Sequence, residues 1–373
     1  MIDVMGEALI DLMEIEDGTF RAVPGGSPAN VALGLARLET ECRFLGRFSD
    51  DRFGRLSRKR LADAGVDLSA AVSTSLLSTV AVVSMNPDAS ARYGFYVAET
   101  ADWAWRHDEL PEDSPEAFHT GSLAAALLPG RTVVDDHMHR LRATGECLIS
   151  YDPNIRPSLA GDHDDEVARV EEQARTAHLV KLSIEDLRWL YPGATDAEPF
   201  RRAGVDADIV LTLGADGARL YRHDGDRVQV PPVSVSVVDT VGAGDAFSAA
   251  ILAALKRRNR LRPNGPNVAV TTPEWNDILA FANRVAALTC ERAGADPPHR
   301  DLLDRGLLVG RLQVAQFHRD DRRQRVGYLC ADVLGGGPVN RFGVLREHGT
   351  AVPHRVGAIR ERPHQEGQLG DAQ

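Results

Sequence analysis

The sequence predicts an α/β protein: a central, mostly parallel sheet flanked by helices, with a smaller β-rich piece added to it. Three observations carry that expectation. Short apolar runs such as "CLISYDPN", "LVKLS" and "DIVLTLG" are each followed by a loop or a helix-patterned stretch, and strands that alternate with helices form parallel sheets covered on both faces. Helix start and stop signals punctuate the intervening segments. Residues 79–98, "TVAVVSMNPDASARYGFYVA", break the alternation: two β-rich runs flank Asn86-Pro87-Asp88 and read as an inserted hairpin.

Taken in order, "IDVMGEALIDLMEI" reads as a first strand with a glycine inside it, and "GTFRAVPGG" as a polar, glycine-rich connection. "SPANVALGLARLE" reads as a helix with Ser27 as N-cap, Pro28 at its first position, and Val31, Leu35 and Leu38 on one face. "CRFLGRFSDDRFG" gives a second strand and a loop, and Phe53 to Ala64 a helix. Val235 to Val238 read as a strand that leads into an apolar helix. After a polar loop at 258–273, "TPEWNDILAFANRVAALTCERAG" is a helix with Thr272 as N-cap, Pro273 at its first position and Gly294 past its end. Beyond about residue 300 the chain turns rich in Arg, Gly and His, and no sustained period appears after Phe317. The expected organisation is a domain over 1–300 and a poorly ordered tail over 301–373.

The bulk numbers narrow the function classes. The 373 residues carry 43 Lys plus Arg against 54 Asp plus Glu, a net charge of -11. Binding to nucleic-acid phosphates needs clustered positive charge, so a nucleic-acid partner is not expected. No run of about 18 apolar residues marks a membrane span, and no basic, apolar leader follows Met1. The four cysteines are far apart in sequence and have neither metal-ligand nor redox spacing. Free thiols in a reducing cytoplasm are the simplest reading, so the expected location is cytoplasmic.

The stretch "VVDTVGAGDAFSAAILAAL", 237–255, carries the chemistry. Gly242 and Gly244 permit a tight turn and close approach of a ligand to the main chain. Asp245 then opens a helix whose apolar face holds Ala246, Phe247, Ala250, Ile251 and Ala254. The N–H groups of residues 242–245, Gly242, Ala243, Gly244 and Asp245, are expected to point into one small space and to stabilise negative charge there. A carboxylate at that spot repels a phosphate unless it faces something else, and a hydroxyl attacking that phosphate is such a thing. Two readings stand side by side: Asp245 is the base of a phosphoryl transfer to an alcohol, or it caps the helix. The chain has no G-x-x-x-x-G-K-[ST] and no D-F-G, so it reads as neither a P-loop nor a protein kinase.

"DTVGAGDAFSAAI" and "PGGSPANVALGLARL" resemble the C-terminal and N-terminal signatures of the PfkB, or ribokinase-like, sugar kinases. The resemblance covers about residues 1–298, and "GSLA" at 121–124, "YDPNIRP" at 151–157, "VKLSIEDLRWL" at 180–190 and "FYVAETADW" at 95–103 are similar to the fructokinase branch. It implies a ribokinase-like central sheet with a small β-sheet lid from about 12–22 and 79–98, in agreement with the hairpin. It implies ATP and Mg²⁺ and, in part of the family, K⁺. It also implies a small sugar as substrate, fructose first, and a possible homodimer through the lid edges.

By position, the resemblance assigns sugar contacts to Asp11, Gly25, Gly26 and Asn30, with Arg92 reaching over from the lid and Asn154 and Arg156 in a loop near the phosphates or the sugar. Lys181 lies inside an apolar strand and needs a partner or a polar cleft; a phosphate contact and a structural ion pair are both open. Thr212, Gly214 and Gly217 resemble the nucleotide-phosphate loop, and Asn283 lies at a position near adenine in relatives. Asp239 is the candidate for K⁺. Where the family often has N-x-x-E, this chain has Ser183-Ile184-Glu185-Asp186. Asp186 is therefore the candidate for Mg²⁺ through water, while Ser183 is also a helix cap. Two further readings compete with a fructokinase. One is a 2-keto-3-deoxygluconate kinase; the other is a non-catalytic sugar-binding regulator, which the presence of Gly242, Gly244 and Asp245 disfavours.

Overall fold

Strand alternation dictates the layering. Along Leu179–Ser183, Val180 and Leu182 are buried in one hydrophobic cluster, while Leu179 is buried in another. Successive side chains of a strand point to opposite faces, so Lys181 lies on the Leu179 face. The same alternation along Leu148–Asp152 sends Ile149 and Tyr151 to one cluster and leaves Ser150 and Asp152 on the opposite face. The sheet is thus covered on both sides by helices, and one side carries a polar row.

A computed structural model describes residues 1–16, 18–85, 91–261 and 270–303. Among them the strands are β1 (Ile2–Met5), β2 (Ile10–Glu16), β3 (Thr19–Pro24), β4 (Cys42–Leu45), β5 (Arg47–Ser49), β6 (Val72–Thr74), β7 (Val80–Met85), β8 (Ala91–Tyr96), β9 (Ala117–Gly121), β10 (Leu148–Asp152), β11 (Leu179–Ser183), β12 (Asp208–Thr212), β13 (Ala218–Tyr221) and β14 (Arg227–Val230). The α-helices are α1 (Ser27–Arg37), α2 (Arg52–Asp63), α3 (Gly130–Thr144), α4 (His163–Thr176), α5 (Ile184–Leu190), α6 (Glu198–Arg202), α7 (Ala243–Arg257) and α8 (Thr272–Cys290).

The main sheet has eight strands in the order β14-β13-β12-β11-β10-β9-β1-β4. Its six strands from β12 to β4 are parallel, and β13 and β14 are antiparallel additions. Helices α1, α7 and α8 bury their apolar residues on one face, and α3, α4 and α5 on the other. A separate four-stranded sheet, β3-β2-β7-β8, forms the lid.

Four local expectations change. The first apolar run is two strands, because the chain breaks at Gly6–Leu9 and β2 joins the lid, not the main sheet. The connection "GTFRAVPGG" contains β3, which pairs antiparallel with β2. Val235 to Val238 form no strand: the N–H groups of Val238 and Asp239 both donate to the carbonyl of Cys290 at the end of α8, so the segment runs past a helix end with Val237 and Val238 exposed. The N-cap of α8 is Thr271, one residue early, with Glu274 completing a capping box. The turn at residues 86–88 and the tail beyond residue 303 lie outside the described residues. Leu303 itself is buried in the core shared by α7 and α8, so the described domain extends past residue 300.

The ends of β9 and β10 fit with no room to spare. Gly121 pairs with Asp152 in register, and a Cβ on Gly121 would lie 1.8 Å from the Asp152 carbonyl oxygen. Gly121→Ala should therefore destabilise the protein by about 1–3 kcal/mol, as overpacking does, read as a lower denaturation midpoint at unchanged m-value.

Candidate active site

The site is built at the carboxyl ends of the parallel strands, where open α/β sheets bind ligands. Register sets its floor. Ser150 pairs with Leu179 and Tyr151 with Val180, so one step on Asp152 stands beside Lys181 on the α7 face. Lys181 Nζ donates to Asp152 Oδ2 at 2.9 Å, with both side chains buried. Burial alone would lower the Lys181 pKa, but Asp152, Asp245 and Asp186 outweigh it and hold the ammonium charged. Of the two readings of Lys181, the ion pair is present. A Cβ on Gly244 would sit 2.8 Å from Lys181 Nζ, so a larger residue there would press on the head of this lysine.

Helix α7 supplies the second wall. It begins after Gly242, which has φ 77°, and its residues from Asp245 to Leu255 are all buried. A helix apolar all round belongs in a core, so its first turn is held by the whole domain. The Ala243 N–H donates to the Thr240 carbonyl, which corrects the expectation that four N–H groups converge. Among the described residues, those of Gly242, Gly244 and Asp245 have no partner within the protein.

Asp245 is buried and does not cap the helix. Its Oδ1 accepts from Ser27 Oγ at 2.7 Å and its Oδ2 from Asn30 Nδ2 at 2.9 Å. Burial raises its pKa, opposed by these two hydrogen bonds and by Lys181. Ser27 likewise is not a cap: α1 starts after Gly26, φ 101°, with no side-chain cap, and the hydroxyl turns to Asp245 instead.

The lid supplies the third wall. Asp11 on β2 pairs with Ala81, which pairs with Phe95, so these residues form one cross-strand row. Asp11 and Phe95 both line a cavity of about 310 Å³, together with Gly26, Asn30, Asn154, Arg156, Lys181, Gly242, Gly244 and Asp245. Burial pushes the Asp11 pKa up to about 6, against Arg156 and Arg60. Gly25 stands behind it: a Cβ there would lie 2.1 Å from Asp11 Oδ2. Asn154 has φ 39°, and Arg156 Nη1 donates to its Oδ1 at 2.7 Å.

Thr212, Gly214, Gly217, Asn283, Asp239 and Asp186 lie off this cavity. Thr212 ends β12 beside Ser183, with Gly214 and Gly217 in the turn that follows. Asn283 Nδ2 donates to the Pro231 carbonyl at 2.8 Å. Asp239 holds the loop ahead of α7, accepting from Val241 N at 3.0 Å and Gly294 N at 2.7 Å. Asp186 completes the capping box of Ser183 and accepts from Ile155 N at 3.0 Å. Arg92 is on β8, and its side chain lies outside the described residues.

A family profile described as "pfkB family carbohydrate kinase" matches residues 1–301. The chain belongs to the pfkB family of carbohydrate kinases. Among pfkB relatives, a fructokinase of Rhizobium leguminosarum bv. trifolii is 36% identical over 269 residues, 70% of this chain and 81% of its own. An aminoimidazole riboside kinase of Salmonella typhimurium is 34% identical over 262 residues, 69% of this chain and 81% of its own. The solved fructokinase of Xylella fastidiosa with bound ATP superposes with a TM-score of 0.72 at 29% identity, covering 81% of this chain and 97% of that one. This pfkB protein is accordingly an ATP-dependent sugar kinase with the ribokinase-like fold. No helix among the described residues is long and apolar enough to cross a membrane.

Sequence reasoning missed Ser27, Asp152, Ser122 and Glu7 as site residues. Ser27 and Asp152 sat inside segments read for caps and turns, and Glu7 inside a run taken as one strand. Glu7 is 1% exposed on the cavity wall and accepts from Ala124 N at 3.1 Å. Burial pushes its pKa up to about 7, opposed by Ser122 and Ala124, with Asp102 adding to the rise. A raised carboxyl pKa favours the fold while the group stays protonated. That contribution is complete below about 4.5 and is lost as pH rises through about 7. Glu7→Gln should thus raise Tm relative to wild type at about pH 8.5, by up to about 3 kcal/mol in stability, and change it little at about pH 4.5.

Proposed function

We propose that this kinase transfers the γ-phosphoryl group of ATP to a hydroxyl of fructose, with Asp245 as the base. The observation that carries the reading is the position of Asp245. Its two oxygens are held by Ser27 and Asn30, and it opens onto the same cavity as Asp11 and the unpartnered N–H groups of α7. In this reading Asp11 and Asn30 orient the ketose, whose hydroxyl oxygen attacks the γ-phosphorus as its proton passes to Asp245. The bond to the ADP oxygen breaks in line, and the N–H groups of Gly242, Gly244 and Asp245 stabilise the phosphoryl charge. Arg156, Asn154 and Lys181 add polar contacts around the transferring group. Thr212, Gly214, Gly217 and Asn283 serve the rest of the nucleotide, with Arg92 part of the lid.

Mg²⁺ fits the donor set in one respect: Asp152 Oδ1 is buried without a hydrogen-bond partner. Among the described residues no group of three or more His, Cys, Asp or Glu could hold a metal, which suits an ion that keeps its waters and binds chiefly through phosphates. Asp152 and Asp186 would anchor that water shell, and the ion would neutralise phosphate charge. Asp239 directs both oxygens to main-chain N–H groups, which fits a loop-holding role better than that of a ligand, so no step is assigned to K⁺. An ATP-consuming sugar kinase with this charge balance is read here as cytoplasmic.

Asp245→Asn should lower kcat by about 10²–10⁴-fold with sugar binding retained; more than about 1% residual kcat would overturn the base. Fructose should exceed 2-keto-3-deoxygluconate and aminoimidazole riboside in kcat/KM, and the reverse order would reassign the substrate. Ligand-stabilised melting without ADP formation would favour the regulator. Ionised Asp11 accepts sugar hydroxyls, so equilibrium fructose binding should weaken as pH falls through about 6, and Asp11→Asn should flatten that dependence. Among the described residues the lid edges β3 and β8 have no outer neighbour, and Phe20 and Tyr96 are exposed. We read these edges as a dimer contact, to be checked by light scattering: a monomer at micromolar concentration would reject it.

A further inference from the structure

Arg60 reaches from α2 into the space between the lid, α1 and the segment after α8. Its Nη1 donates to the Pro24 carbonyl and, at 3.4 Å, to Asn30 Oδ1; its Nη2 donates to the Ala295 carbonyl at 2.5 Å. Each partner is one step from the site. Pro24 is the last residue of β3 and precedes the Gly25-Gly26 turn. Asn30 donates its other amide atom to Asp245 Oδ2 at 2.9 Å. Ala295 packs on the anion turn, where a Cβ on Gly242 would lie 2.5 Å from the Ala295 Cβ.

Guanidinium is a donor only, whereas a side-chain amide presents an acceptor on one side and donors on the other. With Arg60 in place Asn30 is favoured with Oδ1 toward α2 and Nδ2 toward the carboxylate. That constraint matters most after proton transfer. A protonated Asp245 can donate to an amide oxygen, so an unrestrained Asn30 could rotate and hold the spent base in its acid form. Arg60 also makes these bonds to carbonyl and amide oxygens, so its charge is not cancelled by a bonded carboxylate.

We propose that Arg60 is a positioning residue that locks the sugar turn, the Asn30–Asp245 contact and the anion turn into one unit, and that it holds positive charge at the Ile10–Pro24 pair, one residue from Asp11 on β2. For its effect on turnover the proposal rests on Asp245 being the base, and for its effect on Asp11 on that carboxylate binding fructose, which the pH dependence of Asp11→Asn checks separately. The charged groups that face Asp11 are Arg156 and Arg60, which favour its ionised form, and Asp245, which opposes it. Those that face Arg60 are Arg37, Asp296, Asp11 and Asp245.

The test compares wild type, Arg60→Met and Arg60→Lys by fructose binding without nucleotide across pH, and by kcat and KM with ATP. Arg60→Met should move the acid limb of fructose binding to higher pH and lower kcat/KM about tenfold or more, as misplaced catalytic groups do. Arg60→Lys keeps the charge but not the planar fork, so its limb should stay near the wild-type position while kcat remains reduced. A limb that does not move in Arg60→Met overturns the proposal, even if activity or Tm falls, because a merely structural role predicts that pattern. Wild-type kcat in Arg60→Lys overturns the lock on Asn30. If Asp245→Asn retains activity, the base fails, while the binding limb still decides the action of Arg60 on Asp11.

Discussion

The ion pair of Lys181 and Asp152, 2.9 Å apart beneath the first turn of α7, is the contact on which the site depends. Buried pairs of this kind contribute little net stability, yet removing one partner strands a charge in the interior at about 3–5 kcal/mol. Its value lies in position. The pair sets positive charge under a helix start whose N–H groups already carry the positive end of the peptide dipoles. Burial raises the Asp245 pKa at that helix start, and two hydrogen bonds and Lys181 oppose the rise. Gly244 leaves room for the lysine head under that turn.

Four elements from three separate parts of the sequence converge around this contact. Strands β10 and β11 bring the pair by register, α7 brings the base and the N–H groups, and α1 brings Ser27 and Asn30. The lid supplies the remaining wall with Asp11 and Phe95. Polar groups inside such a box are costly unless bonded. Most are bonded to one another, and Asp152 Oδ1 stands out as buried without a partner.

Much of this was legible in the residues. Periodicity marked the parallel sheet and its helices, and the lid hairpin was visible as a break in alternation. The Gly-Ala-Gly-Asp turn announced both an anion site and an anomalous carboxylate. What local patterns misassigned were residues whose long-range partners outcompete their local ones. Ser27 has the composition of a cap and the position for one, yet Asp245, 218 residues away, takes its hydroxyl. Val235 to Val238 have strand composition, but the end of α8 takes the N–H groups of Val238 and Asp239 instead. Glu7 gave no signal, because a break between two sheets looks like a continuous strand with one glycine in it. Arg60 is one of several basic residues on a polar helix, and only the carbonyls around it distinguish it.

The complete burial of α7 from Asp245 to Leu255 has a consequence for how activity is lost. Elements with little core contact open locally, whereas core helices release only when the whole domain does. The turn that gathers the phosphoryl charge is the leading edge of such a helix, while Asp11 and Phe95 ride on a small sheet outside the main core. Heating should therefore disarm this enzyme in two stages: first a loosening of its grip on the sugar, then a single collapse in which chemistry and tertiary structure vanish together.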